Sequence, residues 1–334
     1  MPKNIVVCCD GTGNEYGKNI TNVVHTYKLV QKDETQVAFY DPGVGTGGWE
    51  YVEGTGSFRA TADKATGSGL QKNVEDAYRY LMEFYETDDK VFLFGFSRGA
   101  FTVRSLAGML HKCGLLRKGC DNHVEYVSKI YNTDEDDGEV ARGFKSYFAR
   151  PCPIHFIGVW DTVESLLMNA NRRFHDAELN SEVSYGYHAL AIDEKRKDFP
   201  PSLWDEARVP QGQTVEQVWF AGVHSDVGGW YDERGLSNIT LRWMLEKAKS
   251  CGLQIDEAAA KGFEVDPHED KHDSYGGFWK FLGKYVREIP EDAFIHNSVV
   301  KRLEKQGSKY KPKNLPTNYK KVGWSPGDEL DAAP

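Results

Sequence analysis

Gly95-Phe96-Ser97-Arg98-Gly99 fits the pattern GxSxG, and it stands between an apolar run, Val91–Phe94, and a helical apolar stripe, Val103, Leu106, Ala107 and Leu110. That setting predicts a strand-to-helix turn that lifts the Ser97 hydroxyl above a sheet, a nucleophile elbow. The turn is so sharp that the residues two before and two after the serine must be small, and both are glycine. The amino-terminal dipole of the following helix then points at the hydroxyl. A serine nucleophile needs a base, and the base needs a carboxylate to fix its tautomer. In this arrangement both follow the serine in the order Ser…Asp/Glu…His, each at the carboxyl end of a strand. Asp161 ends the apolar run 154–160, 64 residues after Ser97. His224 ends the run 218–223, 63 residues further on. The chemistry these three could do is acyl transfer through a covalent intermediate.

Acyl transfer also needs backbone N–H donors for the tetrahedral oxyanion. The N–H of Arg98, next after the serine, is one; the loop after the first strand, Asp10-Gly11-Thr12-Gly13, offers the second at Gly11 or Thr12. Asp226 is an alternative acid, but it lies two residues from His224. In an extended segment such residues are roughly 6–7 Å apart at their α-carbons, so a short side chain there reaches Nδ1 poorly. Asp10 and Asp226, with Asp161 and His224, would be strand-end ligands if the chain were instead a metal-dependent phosphoesterase. A third reading is a non-catalytic interaction protein, which has no reason to hold all three triad residues. Cys8-Cys9-Asp10-Gly11-Thr12 matches the last three positions of the DxDGT motif of haloacid-dehalogenase-type phosphatases, yet Cys8 occupies the place of the nucleophilic aspartate. Gly43-Val44-Gly45-Thr46-Gly47-Gly48 matches GxGxxG, but no amphipathic helix opens directly after it to receive a pyrophosphate. No GxxxxGK[ST] is present. No cofactor and no metal is expected.

The elements that must position these residues alternate strand and helix. Short buried runs stand at 4–9, 36–40, 91–94, 154–160 and 218–223, and helical apolar spacing at 20–27, 70–85, 103–110 and 241–248. Continuous apolar strands separated by amphipathic helices predict a mostly parallel sheet covered on both faces. Residues 164–216, with Tyr185, Tyr187, Phe199 and Trp204, read as a helical insertion forming a lid or acyl pocket. From 262 to 334 the signal fades, and a loose carboxy-terminal cap is expected. No repeat or linker divides the 334 residues, so one α/β domain is the reading.

Composition narrows the partners. The chain is 40% hydrophobic and 27% charged, which excludes disorder and fibres. Its net charge of −9 makes it a poor binder of nucleic-acid backbones. No run of eighteen apolar residues crosses a membrane, leaving peripheral lipid contact as the only kind expected. The apolar run Ile5–Cys9 is too short for a signal-peptide core, which predicts a cytoplasmic protein, although secretion by a signal-less route leaves no trace in sequence. Six cysteines without a CxxC pair predict free thiols rather than a zinc site. Oligomeric state is not legible.

CCDGTGN, YDPGVGTGG, GFSRGAF, FIGVWDTVESL and WFAGVHSDVGGWY, in that order, resemble the uncharacterised α/β-hydrolase domain family that includes the catalytic domain of class-one type VI secretion phospholipase effectors. YGYHALAIDEKRKDFPPSLW and IHNSVVKRL fit it as well, and the resemblance runs from about residue 3 to residue 305. It implies an α/β-hydrolase-like fold and a serine ester hydrolase of lipase, phospholipase or esterase type acting on a small-molecule or lipid ester. It puts the nucleophile on Ser97, the base on His224 and an aspartate as third member, carried here on Asp161. By its length beside the effectors, the chain is expected to lack the extra region by which they approach membranes, and its flanks show no basic amphipathic helix.

Overall fold

The structure, a computed structural model, describes residues 2–11, 20–43, 49–52, 57–60, 67–133, 138–163, 179–276 and 283–323. Among them twelve strands are found: β1 (Asn4–Cys9), β2 (Gln36–Asp41), β3 (Trp49–Val52), β4 (Ser57–Ala60), β5 (Lys90–Phe96), β6 (Leu115–Leu116), β7 (Ala149–Arg150), β8 (Ile154–Trp160), β9 (Val183–Ala191), β10 (Thr214–Phe220), β11 (Phe294–His296) and β12 (Lys320–Val322). Eight of them form one sheet in the order β12-β11-β10-β9-β8-β5-β1-β2, and every pairing in it is parallel. The α/β-hydrolase-like expectation therefore holds. β3 with β4 and β6 with β7 make two small antiparallel pairs.

The central strands are apolar on both sides because helices cover both sides. Ile5, Val7 and Cys9 of β1 face one core with α2 (Gly67–Phe84), α3 (Arg98–Cys113), α4 (Val124–Asn132) and α5 (Gly138–Phe148). Val6 and Cys8 face the other, with α1 (Asn22–Leu29) and a long helix, Gly235–Ser250. The stripe expected over 103–110 is fully buried at Val103, Leu106 and Leu110, each contributing about 1.5–3 kcal/mol relative to exposure. All six cysteines are free and five are buried.

Two expectations are corrected. The described part of 164–216 holds β9, which lies inside the sheet between β8 and β10, and not a helical insertion. VSYGYHALA mixes aromatics with small residues, and its burial comes from two neighbouring strands rather than from a helical stripe. The described part of 262–334 is not loose, since β11 and β12 complete one edge of the sheet and Ile295 and Val299 pack with Leu190 and Trp219 in a third core.

After β1 the chain goes outward to β2 and then returns to place β5 on the other side of β1. Such a reversal opens a crevice at the carboxyl ends of the two central strands, where open α/β sheets hold their ligands. Asp10 and Ser97 follow those two ends directly.

Candidate active site

Ser97 is held at φ 56° and ψ −121°, a left-handed conformation that a non-glycine residue adopts only under constraint. Its N–H donates to the carbonyl of Trp160 at 3.1 Å, tying the turn to the end of β8. A β-carbon on Gly95 would stand 2.5 Å from the carbonyl oxygen of Gly99, and one on Gly99 would strike the carbonyl of Cys9. Both glycines are therefore required by close approach of backbone. The N–H of Arg98 opens α3 and belongs to the first turn, whose amides have no carbonyl to bond within the helix. The Arg98 guanidinium is half-buried, and burial lowers its pKa to about 10.

His224 and Asp161 meet. Nδ1 of His224 lies 2.6 Å from Oδ2 of Asp161, with both side chains buried. Burial lowers the His224 pKa, and the hydrogen bond to Asp161 partly restores it. The imidazole packs between aromatic partners: the Phe96 ring at 4.6 Å and the Phe199 ring at 5.1 Å, edge-on. Gly228 makes room for Phe96, because a β-carbon there would enter its ring. His224 does not end a strand as the sequence suggests; β10 stops at Phe220, and His224 is the first residue of a short helix, α6 (His224–Gly228).

Asp161 sits at φ 42° immediately after β8. Its carboxylate accepts from Arg287 at 2.6 Å (Nη1 to Oδ1) and 2.9 Å (Nη2 to Oδ2), and from the Ala191 N–H at 2.9 Å. Burial alone would raise its pKa, but the Arg287 charge and then His224 overcome this and hold the carboxyl well below the usual range. Behind the turn, the Thr162 N–H donates to Nε2 of His188 at 3.1 Å, so that buried histidine is a neutral acceptor; burial lowers its pKa to about 3.

Glu194 completes the surroundings. Oε2 accepts the His224 N–H at 3.2 Å, and Oε1 accepts the Ser274 hydroxyl at 2.8 Å. Burial works against its ionisation, yet Arg196 prevails and lowers the pKa to about 2. Arg287, Glu194 and His188 carry no local motif. Glu194 and His188 stand in the stretch that carries the family resemblance; Arg287 lies beyond every motif but IHNSVVKRL.

Asp226 and Asp10 do not join the His224–Asp161 pair. Oδ2 of Asp226 accepts the Val223 N–H at 2.9 Å and Oδ1 faces Nδ1 of His272 at 2.7 Å, so Asp226 caps α6 and is not the partner of His224. Asp10 accepts from the Thr21 hydroxyl at 2.6 Å and the Tyr40 hydroxyl at 3.1 Å. Among the described residues no three His, Cys, Asp or Glu side chains are gathered as a metal ion would require, so the carboxylate cage of a phosphoesterase is not formed there. The Gly11 N–H, one of the two candidate oxyanion donors, donates to Oδ1 of Asp10 at 2.7 Å. Thr12 lies outside the described residues, as do most of the GxGxxG stretch and 164–178.

With this arrangement in view, comparison with known proteins decides the family. The family model described as "T6SS, Phospholipase effector Tle1-like, catalytic domain" matches residues 3–247. The chain belongs to that family. The family's description is of the catalytic domain of a phospholipase effector. It is also similar to the uncharacterised protein YEL023C of Saccharomyces cerevisiae, 32% identical over 217 residues, which are 59% of this chain and 32% of that protein. The chain thus spans about a third of the length of that relative. A crystal structure of an uncharacterised protein from Pseudomonas aeruginosa aligns with 80% of this chain and 49% of its own at 18% identity, with a TM-score of 0.46. Among the described residues no helix of this Tle1-like domain is long and apolar enough to cross a membrane.

Proposed function

We propose that this Tle1-like domain is a serine carboxyl-ester hydrolase acting on lipid esters through an acyl-enzyme. The observation that carries the reading is the 2.6 Å contact of His224 Nδ1 with a buried, ionised Asp161, set at the same end of the sheet as the constrained turn of Ser97. Asp161 holds the proton of His224 on Nδ1 and leaves Nε2 free to accept. Nε2 takes the Ser97 proton as Oγ attacks the ester carbonyl. The Arg98 N–H receives the oxyanion, and with Gly11 engaged by Asp10 the second donor falls to Thr12. His224 then gives its proton to the leaving alcohol, and water, activated by the same nitrogen, releases the acid. The half-buried Arg98 cation beside the nucleophile suits an ester that carries a phosphate nearby.

Labelling with a fluorophosphonate, followed by peptide mass spectrometry, tests this. The label is expected on Ser97 and absent from Ser97→Ala, which folds normally but loses roughly 10³-fold or more of its turnover of p-nitrophenyl esters and phospholipids. Retention of more than about a tenth of the activity by Ser97→Ala would end the serine mechanism.

A further inference from the structure

A cleft of about 700 Å³ opens beside the carboxyl end of β9, walled by Ile192–Lys195, by Val286 and Arg287, and by the segment Lys309–Asn314. Its volume falls in the range that encloses small molecules, about 300–1,000 Å³. Ser97 and His224 are not among its walls.

The charge of this cleft runs against that of the chain. The protein carries a net −9, yet the cleft is lined by Lys195, Lys284, Lys309, Lys311 and Lys313, none of which has a carboxylate partner among the described residues. Two of the acids in the walls are already engaged. Asp193 accepts from the Gly222 N–H and the Tyr310 hydroxyl, and Glu194 from Arg196 and His224. Only Asp270 stands unpaired against those five lysines.

A second observation is independent of the lysines. Arg302 also lines the cleft and is 8% exposed, but Nη1 donates only to the carbonyls of Pro267 and Glu269, at 2.8 and 2.6 Å. No carboxylate lies within ion-pair reach of its guanidinium among the described residues. A buried cation without a counter-charge is costly unless an anion joins it.

The wall that presents the lysines is anchored. Tyr310 is buried and donates to Asp193 at 2.9 Å, while Asn314 donates to the carbonyls of Ile192 and Arg287 at 3.0 and 3.1 Å. Lys309, Lys311 and Lys313 therefore project from a fixed backbone at alternate positions. Several fixed cations around one small cavity match a ligand with several phosphates rather than one.

We propose that this cleft is a binding site for a multiply phosphorylated small molecule or headgroup, sharing the Glu194 and Arg287 wall with the Ser97 site but lined by neither Ser97 nor His224. The ligand's phosphates pair with the free lysines, and Arg302 supplies the buried contact at the base.

The test is binding to the full chain, read by calorimetry with two probes: free inositol hexakisphosphate, and phosphatidylcholine vesicles with and without a phosphoinositide bisphosphate. Saturable one-to-one binding in the micromolar range is expected from at least one probe, falling with added salt. Binding of the free compound alone identifies a soluble polyphosphate as the source; binding to doped vesicles beyond plain ones identifies a headgroup. Lys309→Ala/Lys311→Ala/Lys313→Ala should weaken it by about tenfold or more, with the thermal midpoint unchanged. If that midpoint falls, Lys195→Ala/Lys284→Ala serves in its place. A charge-matched control, Lys118→Ala/Lys249→Ala/Lys261→Ala, should bind as wild type does. Absence of saturation with both probes, equal binding by the cleft variant, or equal loss in the control overturns the proposal.

Discussion

Arg287 grips the carboxylate of Asp161 with both ends of its guanidinium, at 2.6 and 2.9 Å, across 126 residues of sequence and with both side chains fully buried. The same guanidinium donates to the carbonyls of Ala191 and Phe199. It therefore fixes the turn after β8 to the segment that brings Phe199 against the His224 ring. A lysine could supply the charge but not this planar fork.

Arg287→Met should accordingly cost about 3–5 kcal/mol of stability, because it strands a buried carboxylate. Arg287→Lys should fall between the two. Urea unfolding of the three proteins measures this, and a Met variant as stable as the wild type would show that the pair does not hold the turn.

Asp161 and Asp226 separate by partner. Asp161→Asn should lower ester turnover by about 10²- to 10⁴-fold, since an amide favours the wrong tautomer of His224. Asp226→Asn leaves one acceptor oxygen for the Val223 N–H and His272 contacts together, which weakens the cap of α6 and costs about 0.5–2 kcal/mol of stability and little turnover. One ester substrate and one melting curve per variant decide it. A silent Asp161→Asn beside a crippled Asp226→Asn would reverse the roles.

Much of this site was readable because its signals are local. Ser97 stands in a five-residue motif between a strand and a helix, and Asp161 and His224 stand just past apolar runs. Gly228, required by the Phe96 ring, was visible as part of a glycine pair. Arg287 left no mark, since only tertiary folding brings it to Asp161 and its neighbours show no periodicity. β9 was read as helix-bearing because a strand sandwiched between two others needs no clean alternation. The reach of Asp10 to the Gly11 N–H is a single side-chain contact that no spacing rule carries.

The pH dependence of turnover follows from His224. In the proposed mechanism only its neutral form accepts the Ser97 proton, and burial lowers its pKa. The acid limb of kcat/KM should therefore have its midpoint below the ordinary histidine value of about 6.5. Removing the Arg287 charge leaves Asp161 to act on His224 unopposed, so Arg287→Met should move that limb to higher pH. A limb above 6.5 in the wild type, or none at all, contradicts the assignment of the base.

Acid stability tests the interior more widely. His25, His188 and His296 are buried, and burial lowers the pKa of each to about 3. In the unfolded chain each titrates near 6.5. Above that pH both states are neutral and these groups contribute no slope. Below it the unfolded chain binds protons that the fold refuses, so stability falls as pH drops, by about 1.4 kcal/mol per pH unit for each histidine. Three together give roughly 4 kcal/mol per unit near pH 5. Glu194, lowered to about 2, and the depressed Asp161 act further down: the stability they add is present above about 4 and is lost as pH falls through their folded values. Urea midpoints at pH 7, 6 and 5 should decline steadily. His25→Phe keeps the edge-on contact with Phe263, 4.8 Å away in the wild type, and should reduce the slope by about a third. A midpoint constant from pH 7 to 5 would mean that these histidines take up protons inside the fold.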